Sequence, residues 1–553
     1  MSRLRSLCLL GLVSVGGVAC SNGAQAPAPA SDSSRLPSYP GSRQPSAPNL
    51  PTPTPQNDDD DDDDDVSGHD SGDDDNPPVV EQPPPVPGPQ APEPPAYAKE
   101  WYVSPSGDDS AKGSREEPLR TISKALTLVG PGEIIRVQKG TYEEKLVINA
   151  SAKAGTAEAP ITLRGEDSPK VVPTDSGWFM AHVQRPHWRI EGFEFDVRGQ
   201  RQVAVTFSGN TTGTVLAGNE LHHGAFGSGI STDAGANGIT IENNHIHHFA
   251  RGDDDSHGVV IAPTSVDITV RGNDIHDNSG DSVQCLGPEG FSNNTPARGV
   301  LIEDNDMYDN RENAVDLKTC HDIVVRGNRM YGFEKSTSSR GEAVVVHYSA
   351  RNVVIEDNDI SDASLGIAVG GNRVGAPPTN VSIRRNRIHD LKTPEGSGIR
   401  IENGSDVRVL HNTVVGTDGF AFVVGHGTGG PSTNIAVRNN VFATRNAVSM
   451  GLAAPGLSMT SNLYLAGAAF NTGIFVAPQS DWEGSTLAHW LSNGVELDSD
   501  ESGEPLVDLD LLMPGERAVD RGMDLGLPYC GAAPDIGAVE SDCPEAATAA
   551  LME

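Results

Sequence analysis

From about residue 190 to 470, apolar and polar residues alternate with a period of two, in short bursts that resemble one another. The bursts read TVLAGNEL, ITIENNHI, ITVRGNDI, VLIEDNDM, IVVRGNRM, VVIEDNDI, VSIRRNRI, VRVLHNTV and IAVRNNVF. Each carries an asparagine at the same place: Asn219, Asn244, Asn273, Asn305, Asn328, Asn358, Asn386, Asn412 and Asn440, spaced 23 to 32 residues apart. Period-two alternation predicts strands, and no segment within the repeat has a helical period.

A short strand pair cannot bury its own apolar face. Stacking successive coils lets each coil bury its inward side chains on the next, so the repeat predicts a parallel β-helix of about ten coils from about 135 to 470. Coils would lie ~4.8 Å apart, the ordinary strand spacing. Asparagines at one corner then form a ladder, their amides bonding along the stack. In one coil the strands read AVDLK (314–318), IVVRG (323–327) and RMYGF (329–333). TCHD joins the first two, Asn328 turns the second corner, and the variable loop EKSTSSRGE leads to the next coil.

Aligning the first strands of successive coils sorts their residues into columns. Val259, Val283, Val315, Val344, Ile367 and Ile399 share one inward column, and Ile261, Cys285, Leu317, Val346, Val369 and Ile401 share the next. Outward fall Val260, Gln284, Asp316, Val345, Ala368 and Arg400, followed by Ala262, Leu286, Lys318, His347, Gly370 and Glu402. Asp316 and Lys318 are therefore expected on the solvent face, packed against nothing. Acids gather in the turns before these strands: Asp253–Asp255, Asp281, Glu312 beside Asn313, and Glu342. Like charges on adjacent coils repel unless solvated or neutralised, and a hard, oxygen-preferring cation neutralises them.

An open stack needs caps. Residues 114–129, SREEPLRTISKALTLV, predict a helix over the first coil, with Ser114 and Glu117 as a capping box and Pro118 in the first turn. Residues 471–553 lose the repeat and are expected to form an irregular C-terminal cap.

The termini change the picture of location. Arg3 and Arg5 precede the apolar run LCLLGLVSVGGVA, which ends at Cys20. The run is short for a membrane span and fits an export signal over 1–20. VAC before Ser resembles a lipoprotein cleavage box with Cys20 as lipid anchor; Ala24-Gln25-Ala26 offers an ordinary signal-peptidase site instead. Residues 21–98, rich in Pro and Ser and holding Asp58–Asp65, predict a disordered tether before the 99–470 helix domain. The expected location is the outer membrane or cell surface, with free secretion as the alternative. Membrane contact is expected only through that anchor, and a monomer is expected. Cys530 and Cys543 suit a disulfide in an exported chain, while Cys285 and Cys320 fall in neighbouring repeats with their pairing open. The formal charge of −36 argues against nucleic acid.

WYVSPSGDDSAKGSREEPLRTISKAL with PGEIIRVQKGTYEE, and AVDRGMDLGLPYCGAAPDIGAVE near the end, resemble the secreted right-handed parallel β-helix proteins of the pectate-lyase superfamily. The resemblance covers about 99–540 and implies an all-β, single-stranded, right-handed parallel β-helix. Glu312-Asn313-x-x-Asp316 is similar to the Asp-Asp-x-x-Asp pattern of polysaccharide lyase family 9. That similarity implies a Ca²⁺ site of Glu312, Asn313 and Asp316, with Asp281 from the preceding coil. It further implies β-elimination on a pectate-like acidic polysaccharide. That family places a lysine base about one coil further on. Here Arg340 and His347 stand there and Lys318 lies earlier, so Lys318, His347 and Arg340 are the candidate catalytic residues. The neighbouring paired carboxylates of a polygalacturonase-like hydrolase are absent around Asp281, and so is the Asp-Pro-His-Asp run of a uronan epimerase. A non-catalytic surface glycan-binding or adhesion protein is the rival reading.

Overall fold

The computed structural model describes residues 97–471, apart from 175–176, 234, 288–294, 372–374, 392, 394–395, 426–430, 451–453, 455 and 465–468, together with 496–497, 507–508, 513–541 and 543. The export signal, Cys20 and all but the last two residues of the tether lie outside the described residues.

Alternation becomes strands at every repeat. Three parallel sheets of 14, 13 and 14 strands run the length of the domain, each strand pairing with its counterpart one coil away. In the coil that holds Asp316, Val315–Leu317 belongs to the second sheet, His321–Arg326 to the first and Arg329–Tyr331 to the third. The strands therefore fall in the expected order within a right-handed parallel β-helix. There are more coils than the ten expected, because the earliest ones lack the asparagine that marks the others. At the corner before the ladder, the backbone amide of Phe193 donates to Asn219 Oδ1 at 3.0 Å.

The ladder runs from Asn219 through all nine expected asparagines and gains a tenth, Asn462. Each Nδ2 donates to the Oδ1 of the next asparagine at 2.8–3.0 Å. The residue before each ladder asparagine has positive φ, in the left-handed region that glycine, asparagine and aspartate tolerate best: Gly272 and Gly327 are typical.

The inward columns form one continuous core, with Val315 and Val344, and Leu317 and Val346, in direct register. Cys285 and Cys320 lie in that core and are disulfide-bonded.

The caps differ from expectation. The N-terminal helix spans only Ile122–Leu128, capped by the Thr121 hydroxyl, which accepts from the Lys124 amide. Ser114 Oγ accepts from the Glu117 amide, but in a turn ahead of the helix. Leu119 bridges Val103 at the edge of the first sheet, and this pairing holds the segment extended. At the other end, residues 515–541 lie along the side of the last coils, with Ala518 and Ile536 packed on Val415, Val441 and Leu463. Cys530 is disulfide-bonded to Cys543.

Candidate functional site

The outward face of the second sheet carries the candidate residues. Gln284, Asp316, Val345, Ala368 and Arg400 stack in register, as the columns predict. The loop from Lys335 to Arg340 rises beside them. Together they enclose a groove of about 510 Å³, lined by Glu312, Asn313, Asp316, Lys318, Glu342, His347 and Glu402 among others.

The groove overturns one expectation. Asp316 does point outward, but it is only 3 % exposed. Its Oδ2 lies 3.0 Å from Lys318 Nζ, and its Oδ1 lies 3.3 Å from His347 Nε2. Oδ1 is buried and makes no hydrogen bond. Burial alone would lower the pKa of Lys318, but Asp316 and then Asp281 outweigh it and raise it, so the ammonium is held charged.

Glu312 and Asn313 line the groove at the turn before the strand. Burial, and next the charge of Asp281, push the Glu312 carboxyl up to about 7. Asn313 Oδ1 accepts from Ser339 Oγ at 2.8 Å, which ties the loop to the turn. Glu342 is buried nearby, and burial raises its pKa.

Asp281 takes a different place from the one expected of a groove ligand. It is fully buried behind the turn. Its Oδ1 accepts from the Asn313 amide at 3.1 Å and from Asn313 Nδ2 at 2.8 Å. Its Oδ2 accepts from Gln284 Nε2 at 2.8 Å and lies 3.1 Å from His257 Nδ1. Burial would raise the Asp281 pKa, but His257 overcomes this and lowers it. Asp281 thus backs the site, where ligand atoms of His257, Asp281 and Glu312 come within 4.8 Å of one another.

Arg340 stands apart from Asp316. Its Nη1 lies 3.1 Å from Glu402 Oε1, three coils further along the second sheet, and Arg400 Nε lies 2.6 Å from the same oxygen. Asp254 and Asp255 pair with Arg251 and Arg311. Sequence reasoning passed over His257 and Gln284 as partners. Gln284 was visible as the neighbour of Asp316 in its column, whereas His257 read only as the start of a strand.

The donors fit a hard divalent cation. The orphaned Oδ1 of Asp316 and the mutual repulsion of Glu312 and Asp281 both call for positive charge, and the groove donors are oxygens.

The model of the family "Right handed beta helix region" matches residues 257–442. An uncharacterized protein of Bacillus subtilis, YwoF, is 25 % identical over 317 residues, 49 % of this chain and 64 % of that protein. Pectate lyase PEL9 of Emericella nidulans is 37 % identical over 79 residues, 14 % of this chain and 19 % of the lyase. This chain thus spans less than two thirds of either relative. Among solved structures, a mutant of the family 6 alginate lyase AlyGC superposes with a TM-score of 0.51 at 14 % identity, covering 70 % of this chain and 57 % of that one. The chain is thus a right-handed parallel β-helix, and over part of its length it is similar to pectate lyases.

Proposed function

We propose that this protein is a Ca²⁺-dependent polysaccharide lyase that cleaves a pectate-like, uronic-acid-containing polymer by β-elimination. The observation that carries the reading is the buried, unbonded Oδ1 of Asp316 in a groove whose other walls are carboxylates and cationic side chains. Glu312, Asn313 and Asp316 would hold the cation, with Asp281 behind them fixing Asn313. Bound there, Ca²⁺ would withdraw charge from the substrate carboxylate and make the C5 proton more acidic.

Lys318 is the proposed base. It acts only as the neutral amine, and Asp316, the carboxylate that does most to keep it charged, is a proposed ligand of the cation, so a cation there favours proton loss. The amine takes the C5 proton, the C4–O bond breaks towards the glycosidic oxygen, and water protonates the leaving group. His347 Nε2 lies 3.3 Å from the other oxygen of Asp316, on the groove side of the strand. Arg340 is mostly exposed and within reach of a second uronate.

A lysine held charged also favours the rival reading, a glycan-binding surface protein without elimination. The ultraviolet absorbance of the new C4–C5 double bond, followed on pectate and other polyuronates with and without chelator, separates the two. Lys318→Gln should lower turnover by about 10²–10⁴-fold while Ca²⁺ still binds, and binds more tightly, because the ammonium no longer competes for Asp316. Asp316→Asn should lose both Ca²⁺ binding by calorimetry and activity, with an unchanged circular dichroism spectrum. Calcium binding without any double-bond product would leave only the binding protein. The reading extends to export with Cys20 as the lipid anchor, and Cys20→Ala should release the protein from the membrane fraction.

A further inference from the structure

The third sheet turns another set of side chains outward. Its strands Glu220–His222, His245–His247, Asp274–His276 and Asp306–Tyr308 pair in register. His222, His247, His276, Tyr308 and Tyr331 therefore make one outward column, and their rings lie nearly parallel. Centroids are 5.3, 5.2, 4.7 and 4.9 Å apart along the column, with interplanar angles of 12°, 3°, 10° and 4°. Stacking accounts for flat rings at these positions. It does not account for the direction of the imidazole nitrogens.

His245, in the adjacent column, brings its Nε2 to 2.7 Å from His276 Nε2 and to 3.9 Å from Asp274 Oδ2. His276 Nδ1 lies 2.7 Å from Asp277 Oδ2. Donation from Nδ1 to that carboxylate fixes the tautomer and leaves the lone pair on Nε2, aimed at His245. A carboxylate on the far nitrogen is the usual support of a metal-binding imidazole. Ligand atoms of His245, Asp274 and His276 lie within 4.8 Å of one another.

We propose that His245, His276 and Asp274 form a binding site for a borderline divalent transition ion of the Zn²⁺ class, with Asp277 orienting His276. Two imidazoles and one carboxylate select such an ion over Ca²⁺, which prefers oxygen alone. A tetrahedral ion with bonds of about 2.0–2.1 Å needs the two nitrogens about 3.3 Å apart. The half-exposed His245 supplies that opening by a small outward swing. The site sits on a different sheet from the groove and stands whether or not the chain is a lyase.

The test is calorimetric titration of the full chain with Zn²⁺ in excess Ca²⁺, which occupies the all-oxygen sites. One Zn²⁺ per chain should bind, and Co²⁺ in its place should give the intense visible bands of a tetrahedral ion. His245→Ala and His276→Ala should each weaken Zn²⁺ at least 100-fold. Asp277→Asn, which leaves the ring stack whole, should weaken it about 10–100-fold. His389, which faces Asp359 and Asp390 further along the same sheet, is the control, and His389→Ala should change nothing. No Zn²⁺ uptake in excess Ca²⁺, or equal affinity in wild type, His245→Ala and Asp277→Asn, would overturn the proposal.

Discussion

A ladder asparagine uses nearly all of its hydrogen-bonding capacity. Asn328 Oδ1 accepts from the amide and the Nδ2 of Asn305, and its own Nδ2 donates to Ile302 O, Arg326 O and Asn358 Oδ1. Asn328→Ala would leave the buried Asn305 amide and Nδ2 without the Asn328 oxygen that both donate to. A buried polar group stripped of its partner costs ~1–3 kcal/mol, so a loss of about 3 kcal/mol is expected, read as a lower thermal midpoint. Asn328→Asp should cost more, because it turns a carboxylate oxygen towards Asn358 Oδ1 and the Ile302 carbonyl. The ladder was legible in the sequence because each rung sits inside its own strand–corner–strand motif. The burial of Asp316 was not. It comes from Lys318, His347 and Gln284 folding over the carboxylate, and the strand pattern gave only the direction of the side chain.

The corner before each rung joins residue to element. Left-handed backbone costs a residue with a side chain roughly 1–2 kcal/mol, and most of these corners use Gly, Asn or Asp. Ser461, Arg385 and His411 do not, and the last two have φ of 55° and 53°. These two, with Asn439, are where the C-terminal segment docks. Arg385 donates to Pro528 O, Asn439 exchanges hydrogen bonds with the Met523 backbone, and His411 Nδ1 lies 3.0 Å from Asp535 O. His411 Nε2 meets Asn439 Nδ2 at 3.0 Å. Asn439 is oriented by Met523, so it presents a donor, and His411 must be neutral with its proton on Nδ1. Burial, and next Arg385, push its pKa down to about 4. The folded protein then binds fewer protons here than the unfolded chain. This stability is complete above about pH 6.5 and is lost as pH falls towards 4, on the order of 3 kcal/mol. Glu540, raised to about 6 by burial and then by Asp535, acts in the opposite sense over pH 4.5–6. Comparing melting points from pH 7 to 4 in wild type and His411→Leu isolates the histidine, and the variant should show the shallower acid loss. The docking was not legible, because the sequence after 471 loses its repeat and reads only as a cap. It could not show that the segment folds back along the flank.

At the scale of the molecule, charge decides what the groove can hold. The chain carries −36, and Glu312, Asp316, Glu342 and Glu402 line the groove. A polyuronate has the same sign, so Lys318 and Arg340 alone face a net repulsion. Each is already committed to a carboxylate, Asp316 or Glu402. A divalent ion changes the sign locally by bridging protein and polymer oxygens, whereas monovalent salt only screens. Binding of an insoluble polyuronate should therefore vanish in chelator and should not return when NaCl replaces the divalent ion. Arg340→Ala tests the other half of the balance. Its guanidinium lies away from the Glu312–Asp316 turn, so Ca²⁺ affinity by calorimetry should stay unchanged. Polymer affinity should fall about tenfold, as expected for one lost charged hydrogen bond to a substrate carboxylate. Undiminished polymer binding by Arg340→Ala would remove the arginine from the substrate path, and binding that survives chelation would remove the cation bridge.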